Sequence, residues 1–357
     1  LGGLLTALLA LGLALVYRAN RILNFAQGDL GAVPTTLSVG LICLWGVPWI
    51  VGVVAGLAAA LVLGALVELL IVRRFFRAPR LLLTVATIGV SQLLMVCGLM
   101  LPRAWGKNVF TDQVIPDPFT AKVVIGSQTF RGSEVLAFVL APVLLAALAL
   151  FLRTTDIGIA IRASAERADR AALLGIPVRR LQTVVWAIAG GLAYVGLFLH
   201  SSIFGVGAAA AISPQAMVFA LGALVLGRLD HLPAITASAL ALRILGTAVE
   251  ANNPSTPGRV YVVVAGVLLA TLVLRRSAGR GREEEGSSWT SAGVVRPIPA
   301  ELRDRPPIRA ARILLPIAAV AAAAALPLVL GPGDEFKAAT VAVFALVGLS
   351  VLVLTGW

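Results

Sequence analysis

The sequence predicts an all-α, polytopic transmembrane helical bundle with one or more broken or re-entrant segments. Three observations carry that prediction. Hydrophobic residues make up 59% of the 357 positions and charged residues only 13%, against roughly 45–50% and 25% in soluble domains. Mean hydropathy is +0.97. The apolar residues also gather into runs near the ~20 residues a helix needs to cross a hydrocarbon core about 30 Å thick. The net charge of +12 would suit a nucleic-acid partner in a soluble protein. In a membrane protein it reads as the Lys and Arg excess of cytoplasmic loops, and no nucleic acid is expected. Cys43 and Cys97 lie in apolar runs, share no motif, and read as buried small hydrophobes. No signal-peptide pattern is present. The chain opens and closes inside apolar runs, so it is expected to continue past both ends.

Taken in order, spans are expected near 1–16, 30–44, 47–72, 81–101, 135–152, 181–202, 216–226, 233–250 and 260–274, with a last pair near 313–330 and 338–357. Those at 30–44 and 216–226 are short, so each is tilted, broken or re-entrant. The third carries Gly52, Gly56, Ala60 and Gly64 at every fourth position, a smooth ridge that lets a neighbouring backbone approach closely. Charge fixes the orientation. Arg73, Arg74, Arg77 and Arg80 follow the third span, Arg153 to Arg180 fill the loop after the fifth, and Arg275, Arg276, Arg280 and Arg282 follow the ninth. Parity puts all three loops on one side, and the positive-inside rule makes that side the cytoplasm. The segment 277–309, with Glu283, Glu284, Glu285 and several prolines, has no apolar period and reads as a disordered linker. The domains are therefore a first transmembrane unit at 1–274, a cytoplasmic linker at 275–312, and the start of a second transmembrane unit at 313–357.

Catalytic signatures are missing. His200 and His231 have no Cys, Asp or Glu in metal-ligand spacing, and neither a phosphate-binding Walker loop nor a G-x-S-x-G elbow occurs. His200 reads as an interfacial side chain and His231 as a cytoplasmic turn residue. Any ATP used is hydrolysed by another chain.

Two stretches stand out. The first, 21–29, places Asn24, Gln27 and Asp29 between two closely spaced apolar spans, with Gly28 and Gly31 permitting a sharp reversal and Pro34 weakening the helix after it. Two readings stand open: a broken or re-entrant segment lining a translocation path, or an ordinary cytoplasmic turn. The second, 156–180, spaces Arg162, Glu166 and Arg170 at i, i+4 and i+8, giving two helical ion pairs worth about a few tenths of a kcal/mol each. Ala171, Ala172, Leu173 and Leu174 follow, then Gly175 as a helix stop and Pro177. This predicts a short helix outside the bilayer whose apolar end is either a docking knob or part of a solvated linker. Of the remaining carboxylates, Glu68, Glu134 and Glu250 all fall toward span ends, where a proton-coupled carrier would need one at mid-membrane.

Together these residues resemble a known family. Asn24-Phe25-Ala26-Gln27-Gly28-Asp29 within 11–37 resembles the I-N-F-A-H-G-E segment of membrane permeases of branched-chain amino acid ATP-binding cassette importers. Ala86-Thr87-Ile88-Gly89-Val90-Ser91 resembles a second family segment, and 161–176 is similar to the family's coupling loop. The likeness runs from about residue 1 to 274 in consistent order. The part after the linker resembles the start of the partner permease, so the chain looks like a fusion of two permease halves, truncated in the second. Gln27 stands where His is common, and Asp169, followed by Arg170, stands where the family has a Glu and a small residue.

The resemblance implies a multi-pass permease of the bacterial cytoplasmic membrane. It translocates branched-chain amino acids or a related small polar solute, binds no cofactor and is not an enzyme. Its implied partners are two ATP-binding cassette subunits, an extracytoplasmic solute-binding protein, the rest of the second permease half and the lipid bilayer. On this reading Asn24, Gln27, Gly28 and Asp29 shape the path or its hinge. Arg162, Glu166, Asp169, Ala171, Ala172, Leu174 and Gly175 couple to the ATPase. The alternatives are an ion-coupled secondary transporter and an intramembrane lipid-modifying enzyme whose arginines hold lipid phosphates.

Overall fold

In the computed structural model the described residues are 1–75, 80–106, 115–119, 123–125, 128–166, 168–205, 209–229, 231–252 and 258–276, all within one unit, Leu1–Glu285. Of the linker expected at 275–312, Arg275 and Arg276 end the helix Arg259–Arg276, and the rest of it, with the second transmembrane unit at 313–357, lies outside them.

Nine apolar runs become helices where they are expected. They are α1 (Gly2–Asn20), α2 (Gln27–Val39), α3 (Trp49–Leu70), α4 (Arg80–Ala104), α5 (Gly132–Thr154), α8 (Val178–Phe204), α9 (Ala209–Leu226), α10 (Leu232–Asn252) and α11 (Arg259–Arg276). Six of them, α1, α3, α4, α5, α8 and α10, are long and apolar enough to cross a membrane. The short span expected at 30–44 is divided between α2 and a π-helical turn, Gly40–Leu44. The other short span, at 216–226, is the end of a longer helix that begins at Ala209.

One feature departs from the sequence reading. The outer loop carries a small antiparallel hairpin, β1 (Val123–Ile125) and β2 (Gln128–Phe130). On the cytoplasmic side, the helix expected around Arg162, Glu166 and Arg170 is described as α6 (Asp156–Glu166) and α7 (Ala168–Leu173), with residue 167 between them outside the described residues.

The bundle is organised around α1. Its residues are small and apolar on every side, and from Leu5 to Val16 all are buried, as expected for a helix hydrophobic all round. It packs against α8, α9 and α10. The small-residue ridge of α3 meets α8: a Cβ at Gly64 would stand 2.3 Å from the Trp186 carbonyl oxygen, and one at Gly190 2.6 Å from that of Ala60. The two backbones thus touch without intervening side chains, the contact that holds helices together where lipid removes the hydrophobic drive. By contrast Leu93, Val96, Phe138, Val139, Ile244 and Val262 are exposed, an apolar surface suited to lipid or another membrane chain.

At the outer end, Asp117 ties the loop to the start of α5. It accepts from the Ser133 hydroxyl, from the Ser133 N–H at 3.3 Å and from Arg131 Nε at 3.3 Å. Desolvation opposes its ionisation, but the Ser133 bonds and the Arg131 charge outweigh it and hold the carboxyl below its ordinary range.

Candidate functional site: a broken segment at mid-bundle

Helix α1 ends where Arg21 enters the left-handed region (φ 55°), its N–H donating to the Tyr17 carbonyl at 2.7 Å. The chain then turns back into the bundle rather than along the membrane surface. Ile22, Asn24, Ala26, Gln27 and Asp29 are all buried, Asn24 and Gln27 completely.

Depth follows from the neighbours. Gln27 Nε2 donates to the Ala189 carbonyl of α8 at 2.9 Å, and a Cβ on Gly12 would lie 2.3 Å from the same nitrogen. Gly12 is midway along α1, so Gln27 lies about 12 Å from the Asn20 end at 1.5 Å per residue. Helix α2 therefore begins in the interior of the bundle. Of the two open readings of this stretch, the geometry is that of the broken segment.

Three bonds shape the break. The Asn24 side-chain oxygen accepts from the Ala26 N–H at 3.1 Å, an Asx-type turn. Asn24 Nδ2 donates to Gln27 Oε1 at 3.2 Å, and the Gln27 N–H donates to the Asn24 carbonyl at 3.2 Å. The Gln27 amide is thereby held at both ends, its oxygen by Asn24 and its nitrogen by α8. Asp29 lies in the first turn of α2, where the helix dipole favours a carboxylate, and accepts from the Ser91 hydroxyl of α4.

Helix α4 supplies partners that reasoning from single residues missed. The Phe25 N–H donates to Thr87 Oγ1 at 3.2 Å. The Thr87 hydroxyl lies 2.7 Å from the Thr84 carbonyl and 3.3 Å from that of Leu23, and its one proton serves either. The two sequence segments 24–29 and 86–91 thus form one polar cluster. The available signal was Thr87 and Ser91 at i, i+4 in an apolar helix, which puts both hydroxyls on one face.

Two further networks brace the surrounding helices. Near the cytoplasmic ends of α3 and α8, fully buried Glu68 takes a two-pronged pair from Arg73 at 3.1 and 3.2 Å and a bond from Thr183 at 2.7 Å. Glu68 is therefore neutralised, not poised as a carrier carboxylate. Toward the outer side, Ser38 Oγ donates to the Gly52 carbonyl at 3.0 Å and shares a bond with the Tyr194 hydroxyl at 2.8 Å.

The cytoplasmic segment has its own geometry. Gly175 (φ 83°) stops α7 with a paired closure: its N–H donates to the Ala172 carbonyl at 3.0 Å and the Ile176 N–H to that of Ala171 at 3.1 Å. Ala171 is buried, whereas Leu173 and Leu174 are 87% and 83% exposed. Ala172 and Gly175 are exposed beside them. Arg162 does not join this exposed end; it points inward, its Nε buried without a hydrogen-bond partner. The side chains of Glu166 and Asp169 lie outside the described residues.

A family model described as "branched-chain amino acid transport system / permease component" matches residues 2–273. The chain is 27% identical over 286 residues to the high-affinity branched-chain amino acid transport system permease protein LivH of Escherichia coli K12, covering 75% of this chain and 89% of that one. It is also 27% identical over 297 residues to the permease protein BraD of Pseudomonas aeruginosa, covering 78% and 92%. A probable branched-chain amino acid permease of Methanocaldococcus jannaschii is 31% identical over 205 residues, or 54% and 60% of the two chains. No solved structure matches.

Proposed function

The chain belongs to the permease-component family of branched-chain amino acid transport systems, and from that premise we propose that α1, α2, α4 and α8 build one wall of an import path for branched-chain amino acids. It is a multi-pass transport subunit of the cytoplasmic membrane, not an enzyme, and it works with ATP-binding and substrate-binding components. Our reading assigns it two ATP-binding cassette subunits, which bind and hydrolyse the ATP, an extracytoplasmic solute-binding protein, and a second permease half opposite the first.

One observation carries the division of labour. The exposed Leu173–Leu174 pair ends a helix that leads within a few residues, through Pro177, into α8, and α8 holds Gln27 through Ala189. A cytoplasmic partner gripping those leucines is in mechanical series with the broken segment. On this reading Ala171, Ala172, Leu174 and Gly175, preceded by Glu166 and Asp169 but without the inward-pointing Arg162, form the coupling element, and Asn24, Gln27, Gly28 and Asp29 form the hinge it moves.

The test is ATP-driven leucine uptake by proteoliposomes holding the full chain with its ATP-binding and permease partners, supplied with the solute-binding protein. Replacing both Leu173 and Leu174 with Asp removes apolar contacts worth about 1.5–3 kcal/mol per buried leucine, so uptake falls by more than about ten-fold. ATP hydrolysis continues without following substrate supply. Uptake at the unaltered rate refutes the coupling assignment.

A further inference from the structure

We propose that an arginine-lined cavity on the cytoplasmic side of the bundle, enclosed by α1, α5, α6 and α10, binds the headgroup phosphate of an anionic phospholipid with an acyl chain laid along its apolar wall. The cavity measures about 550 Å³, within the range of small-molecule sites. Among the described residues its polar lining is Arg18, Arg153, Arg162, His231 and Thr236, with no Asp or Glu. The four basic groups come from four separate places: the last turns of α1 and α5, the inward face of α6, and the residue that precedes α10.

Three features select an anion. Arg162 Nε is buried and makes no hydrogen bond, and a buried unmet donor of a charged group costs free energy until an acceptor arrives. The start of α10 opens on the cavity through Leu232 and Pro233, so the partial positive end of a long helix adds to the arginines. His231 Nδ1 already accepts from the Ala234 N–H at 3.3 Å, leaving its other ring nitrogen as the one able to donate.

The remaining walls select a lipid over a soluble anion. Leu148 of α5 and Leu240 of α10 line the cavity above the arginines. Leu240 is eight residues into α10, about 12 Å along the helix from the headgroup level. A free phosphate would fill only the charged end, whereas a phospholipid satisfies both. Basic pockets between membrane helices on the cytoplasmic side suit anionic headgroups for this reason. The cavity shares α1 with the proposed path through Leu11 and Arg18, but takes no residue from the broken segment 21–29 or from α2, α4 or α8. Through Arg162 it touches α6, and a bound headgroup would pin α6 against α5.

The experiment measures phosphatidylglycerol retained by the full chain, purified with its partners in nanodiscs, exchanged into detergent and read by native mass spectrometry. Expected is retention of phosphatidylglycerol but not phosphatidylcholine, unaffected by excess inorganic phosphate. Replacing Arg153 and Arg162 with Gln should weaken it by roughly thirty-fold, near 1 kcal/mol per arginine. Should the double variant not fold, Arg153→Gln, which alters an exposed side chain, and Ala149→Trp, which fills the apolar wall with all charges kept, should each reduce retention separately. Equal retention of phosphatidylcholine, full displacement by inorganic phosphate, or undiminished retention in Arg153→Gln and Ala149→Trp would each overturn the proposal. None of these readings depends on transport, so failure here is distinguishable from failure of the import reading.

Discussion

Glu68 is completely buried while its partner Arg73 keeps 36% of its side chain exposed. That asymmetry decides what each substitution does. Glu68→Ala leaves a guanidinium facing Thr183 with nothing to neutralise it and opens a void between α3 and α8. Breaking a buried pair costs about 3–5 kcal/mol, and the exposed part of Arg73 reduces this to roughly 2–3 kcal/mol because water can solvate it. Glu68→Gln keeps an acceptor for Thr183 and Arg73, so it loses only about half as much. Thermal unfolding of the purified chain should rank wild type above Glu68→Gln above Glu68→Ala. Equal midpoints for the three would mean that the pair contributes nothing to holding α3 against α8. Asp29 is also a buried carboxylate, and the Ser91 hydroxyl donates to it at the start of α2.

Elements meet here through absent side chains, so glycine position matters more than glycine count. Gly31 is in α2, and a Cβ there would stand 2.4 Å from the Ala193 carbonyl carbon and 2.8 Å from the Tyr194 nitrogen, both backbone atoms of α8. Neither can swing aside. Gly31→Ala must push α2 off α8, with an overpacking cost of about 1–3 kcal/mol, and it should loosen the Gln27–Ala189 bond one turn below. Gly175 is the opposite case: nothing lies within 4 Å of its would-be Cβ, but its φ of 83° disfavours any L side chain. Gly175→Ala therefore costs about 1 kcal/mol, confined to the end of α7. The check is amide hydrogen exchange. Gly31→Ala should raise exchange along both α2 and α8, and Gly175→Ala only around residues 172–177. The sequence marked both glycines but could not separate them, because Gly175 announces itself by a following Pro177 whereas the partner of Gly31 lies 162 positions away.

On the scale of the whole molecule, span order was legible because bilayer thickness is a one-dimensional signal, and arginine placement is the signal from which orientation is inferred. The mid-bundle cluster was legible only in halves. Asn24, Gln27 and Asp29 are costly in an apolar context and stand out, whereas Thr87 and Ser91 are mild enough to pass as packing, and Ala189 contributes only a carbonyl. The arginine cavity was not legible at all, since its four basic residues share no local pattern and were absorbed into the cytoplasmic charge excess. Orientation consequently bears more weight than any single contact: it puts Leu173 and the cavity on the ATP side and Phe119 on the solute side. Single cysteines introduced at Leu173→Cys and Phe119→Cys, with Cys43 and Cys97 replaced by Ala, test it directly. Both positions are exposed, Leu173 at 87% and Phe119 at 39%, so a membrane-impermeant thiol reagent can reach either once it is on the correct side. In right-side-out vesicles the reagent should modify the residue 119 variant alone, and in inverted vesicles the residue 173 variant alone. The reverse pattern would move the leucine pair away from ATP and the arginine cavity into the outer leaflet, and it would remove the coupling assignment and the lipid site together while leaving every distance in the bundle unchanged.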